Sequence, residues 1–281
     1  MAYSTITKPG LHFNTVTYAG NAGTNAITGV GFQPDWVWIK RRNGSESHAL
    51  FDVIRAVTKQ LASNSGDAEE TVATSLTSFD SDGFSLGSYS RVNASSDTYA
   101  SWNWKAGGSA SSNSDGSTTS SVSANTTAGF SIVSWTGTGS ATTVGHGLSS
   151  SPKFIFVKNR DTARNWNVYY GDETDYLQLN DSGATIDNDN KWNDTAPTSS
   201  VFTVNTSSDV NKSGDKMVAY CFTEKKGYSK FGSYTGNGSS SGTFVYTGFR
   251  PAMVIFKNSG TANRQWQLLD NKRSSSGGNN V

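Results

Sequence analysis

The chain has 281 residues, 34% hydrophobic, 16% charged and 12% aromatic, and 23 basic against 22 acidic side chains leave a net charge of +1. That balance supplies no basic field for nucleic acid or an anionic membrane, and no apolar run approaches the ~18 residues a membrane span needs. The single cysteine, Cys221, excludes an internal disulfide framework and a multi-thiolate metal site. Eight Trp, eleven Tyr and fourteen Phe set among Gly, Ser, Thr and Asn read as many short strands joined by tight turns rather than as disorder. Met1 runs into AYSTITKPGLHF with no basic segment followed by an apolar one, so no signal peptide is expected.

Residues 1–12 form a lead-in, and a first unit covers 13–108. It opens with FNTVTYAG, an alternating strand that breaks at Gly20. GFQPDWVWIK follows at Gly31, and altered forms recur as GLSSSPKFIFVK at Gly147 and GFRPAMVIFK at Gly248. Pro34 to Lys40, Pro152 to Lys158 and Pro251 to Lys257 are each six residues, which marks a repeated supersecondary unit. In this strand Trp36 and Trp38 share one face, and Val37 and Ile39 the other, so it is expected to be covered on both sides. The segment from Ala49 to Leu61 is expected to be mainly extended. SFDSDGFSLG (78–87) and YASWNWKAGG from Tyr99 complete the unit.

The Ser/Gly/Thr-rich residues 109–124 read as a linker or long loop. A second unit covers 125–229, opening with FSIVSWTGTG at Phe130 and closing with MVAYCFTEKKG. Pro34 to Tyr99 and Pro152 to Met217 are both 65 residues, so the two units align from end to end. Cys221 falls opposite Tyr220 and Phe222 on the closing strand and reads as a small buried hydrophobe. A third, partial unit covers 230–281. Its closing strand would fall at position 316, past Val281. It is therefore expected to be a truncated unit, or one completed by residues 1–12 or a neighbouring chain, and to pack against something. The predicted fold is all-β: repeated antiparallel β-sandwich-like units, two complete and one partial.

No catalytic signature is present, so no enzyme is expected. His48 occupies a position held by Trp166 and Trp266 in the sister units. With Arg42 and Arg160 these three form the candidate ligand-binding patch, because aromatic platforms stack on sugar faces and cations beside them bind hydroxyls. The bland alternative is a core role for the aromatics, with the basic residues after the central strand facing solvent or pairing with Asp52 and Asp270. Asp187, Asp189 and Asp194 offer oxygen ligands for a structural Ca²⁺, as Asp80 and Asp82 do less densely, against the alternative of Asx-turn chemistry. No other cofactor is expected.

Together GFQPDWVWIKRR, SFDSDGFSLG, WNWKAGG, SVSANTTAGFSIVSWTGTG, TVGHGL, VAYCF, GYSKFGSYTGNG and FVYTGFRPA resemble a family of uncharacterised proteins from marine bacteriophages. The resemblance covers almost the whole chain. It is similar to a domain of unknown function found in phage tail-fibre-like and virion-associated proteins, and it brings no catalytic residues to carry over. What it implies is a non-enzymatic virion component at the particle surface, foremost a tail-fibre or receptor-binding protein for host envelope attachment. A capsid decoration or tail-assembly protein that touches only other virion proteins is the alternative, and a polysaccharide depolymerase with a carboxylate pair in a groove is a third. The partners implied are other virion proteins, a host surface glycan and further copies of the chain, a trimer by analogy with phage fibres.

Overall fold

The computed structural model describes residues 4–273. In the first unit the strands are β1 (Phe13–Ala19), β2 (Asn25–Ile27), β3 (Trp36–Arg41), β4 (Ala49–Asp52), β5 (Lys59–Gln60), β6 (Glu70–Thr71), β7 (Leu76–Asp80), β8 (Gly83–Leu86) and β9 (Thr98–Trp104), with a short helix α1 (Ser90–Asn93) before β9. The larger sheet runs β1-β9-β3-β4, and the smaller runs β2-β8-β7. Between them lie Val37, Ile39, Phe51, Leu76, Phe84 and Tyr99, all buried. This is an antiparallel sandwich, as the alternation predicts.

The second unit repeats the plan. Its strands are β10 (Ser111–Asn113), β11 (Ser120–Asn125), β12 (Phe130–Thr136), β13 (Thr142–Gly145), β14 (Phe154–Asn159), β15 (Asn167–Tyr169), β16 (Asp175–Gln178), β17 (Ile186–Asp187), β18 (Val201–Val204) and β19 (Lys216–Phe222), with α2 (Ser208–Asn211) before β19. β12, β19, β14 and β15 neighbour one another in the order of β1, β9, β3 and β4. The registers agree as well: Trp36 faces Trp104 and Trp38 faces Trp102 in one unit, while Phe154 faces Phe222 and Phe156 faces Tyr220 in the other. Cys221 is buried in this unit's own core, on the face away from Tyr220, and burial pushes its thiol up.

Residues 109–124 are not a linker. β10 pairs with β11, and β11 with β12, so they extend the second unit's sheet at its edge. An edge strand with one solvated face needs few apolar residues: here Val122 turns inward, while serines pair across the strands.

The turn glycine of the repeat has a steric cause. A Cβ on Gly20 would lie 2.0 Å from the Ala94 carbonyl oxygen, and one on Gly137 would lie 2.2 Å from that of Lys212. At both places the turn after the opening strand presses against the end of the short helix. A buried asparagine locks that junction. Asn93 Nδ2 donates to the Gly87 and Gly23 carbonyls at 2.8 and 2.7 Å, and Asn211 Nδ2 donates to those of Asn205 and Ser140 at 3.0 and 2.7 Å. The oxygen of each amide receives the turn backbone, at Asn21 and Thr138.

The third unit consists of β20 (Met253–Phe256) and β21 (Gln267–Asp270), an antiparallel pair. Its opening strand and short strand, expected over residues 230–247, do not form. In the first two units those strands pair with β9 or β19 and with β8 or β18, and among the described residues no strand takes that place beside β20. Of the lead-in, residues 4–12 do not supply one: Pro9–Leu11 makes a 3₁₀ turn that leads into β1. The half unit does pack, as expected. Met253, Ile255, Trp266 and Leu268 lie against a shared core built by the outward faces of the two large sheets.

That shared core explains the doubly apolar central strands. Val37 and Ile39 face their own sandwich, while Trp36 and Trp38 face the other units. Trp36 stacks on Tyr220 at 4.3 Å and lies 5.6 Å from Phe130. Each such aromatic removes ~150–250 Å² from water. At ~25 cal/mol/Å² that is about 4–6 kcal/mol per ring as an upper bound, enough to make association of the units part of folding. Among the described residues no helix is long and apolar enough to cross a membrane.

Candidate functional site at the seams between units

Most of the residues singled out by the repeat lie where one unit meets the next, whereas His48 and Lys40 bond within the first unit. Trp166 of the second unit is fully buried, and its Nε1–H donates to the Ala62 carbonyl of the first at 2.8 Å. Trp266 of the third unit donates to the Gln178 carbonyl of the second, also at 2.8 Å. Ala62 and Gln178 hold corresponding places in the KQLASN and DYLQLN segments. The two contacts are therefore one contact made twice.

The closing lysine of the repeated strand does the same. Lys158 Nζ donates to the Gly66 and Arg164 carbonyls at 3.0 and 2.7 Å. Lys257 Nζ donates to the Ser182 carbonyl at 3.0 Å and to that of Arg164's counterpart, Arg264. Burial lowers the Lys158 ammonium to about 8. Lys158 is buried and Lys257 partly exposed, neither pairs with Asp52 or Asp270, and each ties its unit to a loop of the preceding one.

Arg160 is likewise committed. Its guanidinium meets the Glu69 carboxylate of the first unit through Nε at 3.0 Å and Nη2 at 2.9 Å, and Glu69 also reaches Arg55 at 3.1 Å. Burial pushes the Glu69 carboxyl up, but the bond from Arg160 and the charge of Arg55 outweigh it and hold the group below its usual range. Arg42 is exposed and donates to the Arg273 carbonyl of the third unit at 3.0 Å. His48 is half-buried. Its Nδ1 accepts the Trp38 Nε1–H at 2.7 Å, which requires the neutral ring with its proton on Nε2. Burial, then the nearby charges of Lys40 and Arg273, lower its pKa to about 3.

A network that sequence reasoning missed holds the same seams. Asp52 Oδ2 accepts from Arg55 Nε at 2.5 Å and from the Tyr220 hydroxyl of the second unit at 2.7 Å, with both charged side chains fully buried. Burial raises the Tyr220 phenol well above its usual range, so it stays a donor. In the third unit Asp270 Oδ2 accepts from Arg273 Nε at 2.5 Å and from Trp102 Nε1 of the first unit at 3.1 Å. The signal was available as Asp-x-x-Arg at 52–55 and again at 270–273. The first unit thus grips the second, and the third grips the first, through one device. Trp266 and Lys257 close the remaining seam between the second and third. The three units form a closed cycle of head-to-tail contacts around the shared aromatic core.

The acidic candidates do not come together in this way. Asp187 is exposed in β17, the Asp189 carbonyl accepts from Asn193 N and Asn205 Nδ2, and Asp194 sits in left-handed backbone at φ 45°. Asp82, in the turn between β7 and β8, accepts from the amides of Gly29 and Gly31, a long-range bond rather than an Asx-turn. Among the described residues no three His, Cys, Asp or Glu side chains are grouped to hold a metal ion.

No curated protein and no solved structure matches this chain. Residues 8–281 match the family described as "Domain of unknown function (DUF7483)", and the chain belongs to that family.

Proposed function

We propose that this protein is a non-enzymatic structural component of a bacteriophage virion that works through contacts with other virion proteins. The observation that carries the reading is where the aromatic and basic repeat residues go. Trp166 is wholly buried, Trp266 and His48 partly so, and Arg160 is held by Glu69. The patch considered for a glycan is used to join units, so Trp166 has no ring face left for a sugar. The virion setting rests on the resemblance of the motif string alone. The test is to purify particles of the source phage by density gradient and probe them with antibody to this chain under immunogold. Gold on particles is the expected result, and its absence would overturn the reading.

Host attachment as a tail-fibre protein is the second reading. It is favoured by the exposed aromatics Tyr234, Phe244 and Tyr246, which are 54%, 86% and 69% accessible within a Ser/Gly/Asn-rich segment. Gold confined to fibre tips, with binding of the purified protein to host lipopolysaccharide, would select it over the first.

A further inference from the structure

The turn that follows β3 begins Arg42-Asn43-Gly44, and Asn43 is exposed to water. An asparagine before glycine is open to attack by the next backbone nitrogen, because glycine puts no side chain in the way. Here the fold surrounds that pair with polar groups. Asn43 Oδ1 accepts from Thr98 N at 3.1 Å, and Asn43 Nδ2 donates to Asp97 Oδ1 at 3.1 Å. Lys40 Nζ donates to the Gly44 carbonyl at 2.9 Å. Arg41 lies so close to Gly44 that a Cβ there would be 2.6 Å from its Nε, a buried donor with no acceptor among the described residues. Gly44 N also donates to no group among the described residues.

We propose that Asn43 is a self-modification site, converted to aspartate by attack of the Gly44 amide on its own side chain. Gly44 N bonds to Asn43 Cγ, the Cγ–Nδ2 bond breaks, and ammonia leaves with the proton that Gly44 N gives up. The intermediate is a succinimide. Water opens the ring at the new N–Cγ bond, which restores the backbone and leaves a side-chain carboxylate. One water is taken up and one ammonia released, and nothing is oxidised or reduced. Each neighbouring group serves a step. The charges of Lys40 and Arg41 beside Gly44 favour the deprotonated amide. The Thr98 N–H holds the oxygen on which negative charge builds as Cγ is attacked. Asp97, on the departing nitrogen, relays the proton to it.

The second unit already carries the product. Asp161 stands nine residues after Pro152, as Asn43 stands nine after Pro34. Its Oδ2 accepts from Lys216 N at 2.8 Å, the bond that Asn43 makes to Thr98 N. Asp215 takes the place of Asp97, and one cation matches each: Lys212 at 3.2 Å from Asp215, Arg41 at 2.8 Å from Asp97. The repeat therefore accepts two carboxylates and one cation at this corner. Opening the ring on its other side would give isoaspartate and insert a methylene into the backbone. That insertion would fall next to Arg42, whose N donates to the Thr98 carbonyl at 2.7 Å, so aspartate is the product the fold admits. The inference stands on this geometry and does not depend on the virion reading.

Asn237-Gly238 is the internal control. The pair is the same and Asn237 is exposed, with Oδ1 accepting from Ser239 N at 3.0 Å, but Nδ2 donates to the Gly242 carbonyl at 2.7 Å instead of a carboxylate. The whole chain is incubated at neutral pH, folded and in urea, and sampled over days by peptide mass mapping. In the folded chain Asn43 should convert at least about tenfold faster than Asn237, and in urea the two rates should converge. Asp97→Asn should slow Asn43 at least about tenfold and leave Asn237 unchanged. Asn43→Asp, made directly, should keep the parent's melting midpoint. Equal rates at the two sites in the folded chain would overturn the inference. So would a rate at Asn43 no higher when folded than in urea, a comparison that needs no variant, or isoaspartate as the main product.

Discussion

Replacing Asp52 by asparagine tests whether the seam between the first two units is as dry as its geometry indicates. The carboxylate has two jobs. Oδ1 caps the Ile54 and Arg55 amides at 3.0 and 2.9 Å, and an asparagine oxygen keeps both bonds. Oδ2 receives Arg55 Nε and the Tyr220 hydroxyl, and the amide of Asp52→Asn would turn its NH₂ toward these two donors. Arg55 would stay buried and charged with Glu69 as its remaining acid, at 3.1 Å. Removing one partner from such a pair costs about 3–5 kcal/mol. At roughly 2–4 °C per kcal/mol for a chain of this size, the melting midpoint should fall by about 6–20 °C. Thermal unfolding followed by tryptophan fluorescence reads it, because Trp36 and Trp166 both stack on Tyr220. The partly exposed pair Arg91–Glu70, 3.8 Å apart, is the control, and Arg91→Ala should cost no more than about 1 kcal/mol. The triple change Asp52→Leu, Arg55→Met, Tyr220→Phe removes the buried charges and the phenol together but uncaps the amides of residues 54 and 55 and frees the Leu50 and Lys59 carbonyls, so it should recover only part of the loss. If Asp52→Asn cost no more than the control, the desolvation argument would be refuted.

Trp166→Phe removes the donor to the buried Ala62 carbonyl and should cost about 1–3 kcal/mol; Trp266→Phe, at a half-buried site, should cost less, and the reverse order in denaturant midpoints would contradict the placement of the two seams. Asn93→Ala and Asn211→Ala should each cost about 1–3 kcal/mol and by similar amounts, because their carbonyl partners are partly open to water and recover some hydration; markedly unequal values would deny the two clamps their equivalence. Acid should weaken the fold: His48, lowered to about 3 by burial and then by Lys40 and Arg273, is neutral in the native state, whereas the unfolded ring titrates near its ordinary value of 6.5. Its contribution is present above that value and is lost as pH falls toward about 3, and buried His146 and Glu69, both lowered, act in the same direction. Urea midpoints should drop from pH 7.5 to pH 4.5, less steeply in His48→Gln; a flat profile would count against the neutral buried ring.

What the sequence made legible is what period and spacing encode directly. Apolar residues on both faces of WVWIK report two covered faces whatever covers them, so the central strands, the order of the units and the half unit could be placed before any coordinates. The recurrence of His48 and Trp166 eight residues after the closing lysine, and of Trp266 nine after it, reported a shared environment. Spacing carries no sign for exposure, however, and a ring that stacks on sugar and a ring that caps a neighbour's carbonyl leave the same trace. Residues 109–124 were misleading for a related reason. Ser and Thr suit a solvated sheet edge as well as a loop, and the pairing that decides between them lies in β12. The four-residue helices were too short to show a period, although Asn93 and Asn211 stand 59 residues after Pro34 and Pro152 and could have been flagged.

The buried network was hardest to see because its partners are far apart in sequence. Asp52 and Tyr220 are 168 residues apart, as are Trp102 and Asp270. The order of the partners along the chain is informative. In the first contact the aspartate precedes its aromatic partner; in the second it follows it. One contact repeated along an open row of units would keep the aspartate ahead of its partner every time. A contact running from the first unit to the second, and again from the third back to the first, reverses that order because the row closes on itself. The units therefore do not stack as an open solenoid with two free ends. They turn their aromatic faces inward around a common axis, and this is why the repeat spends tryptophan, tyrosine and phenylalanine on the outer face of each large sheet. Two of the seams close through Asp-x-x-Arg and the third through Trp266 and Lys257, so each unit is held by both of its neighbours.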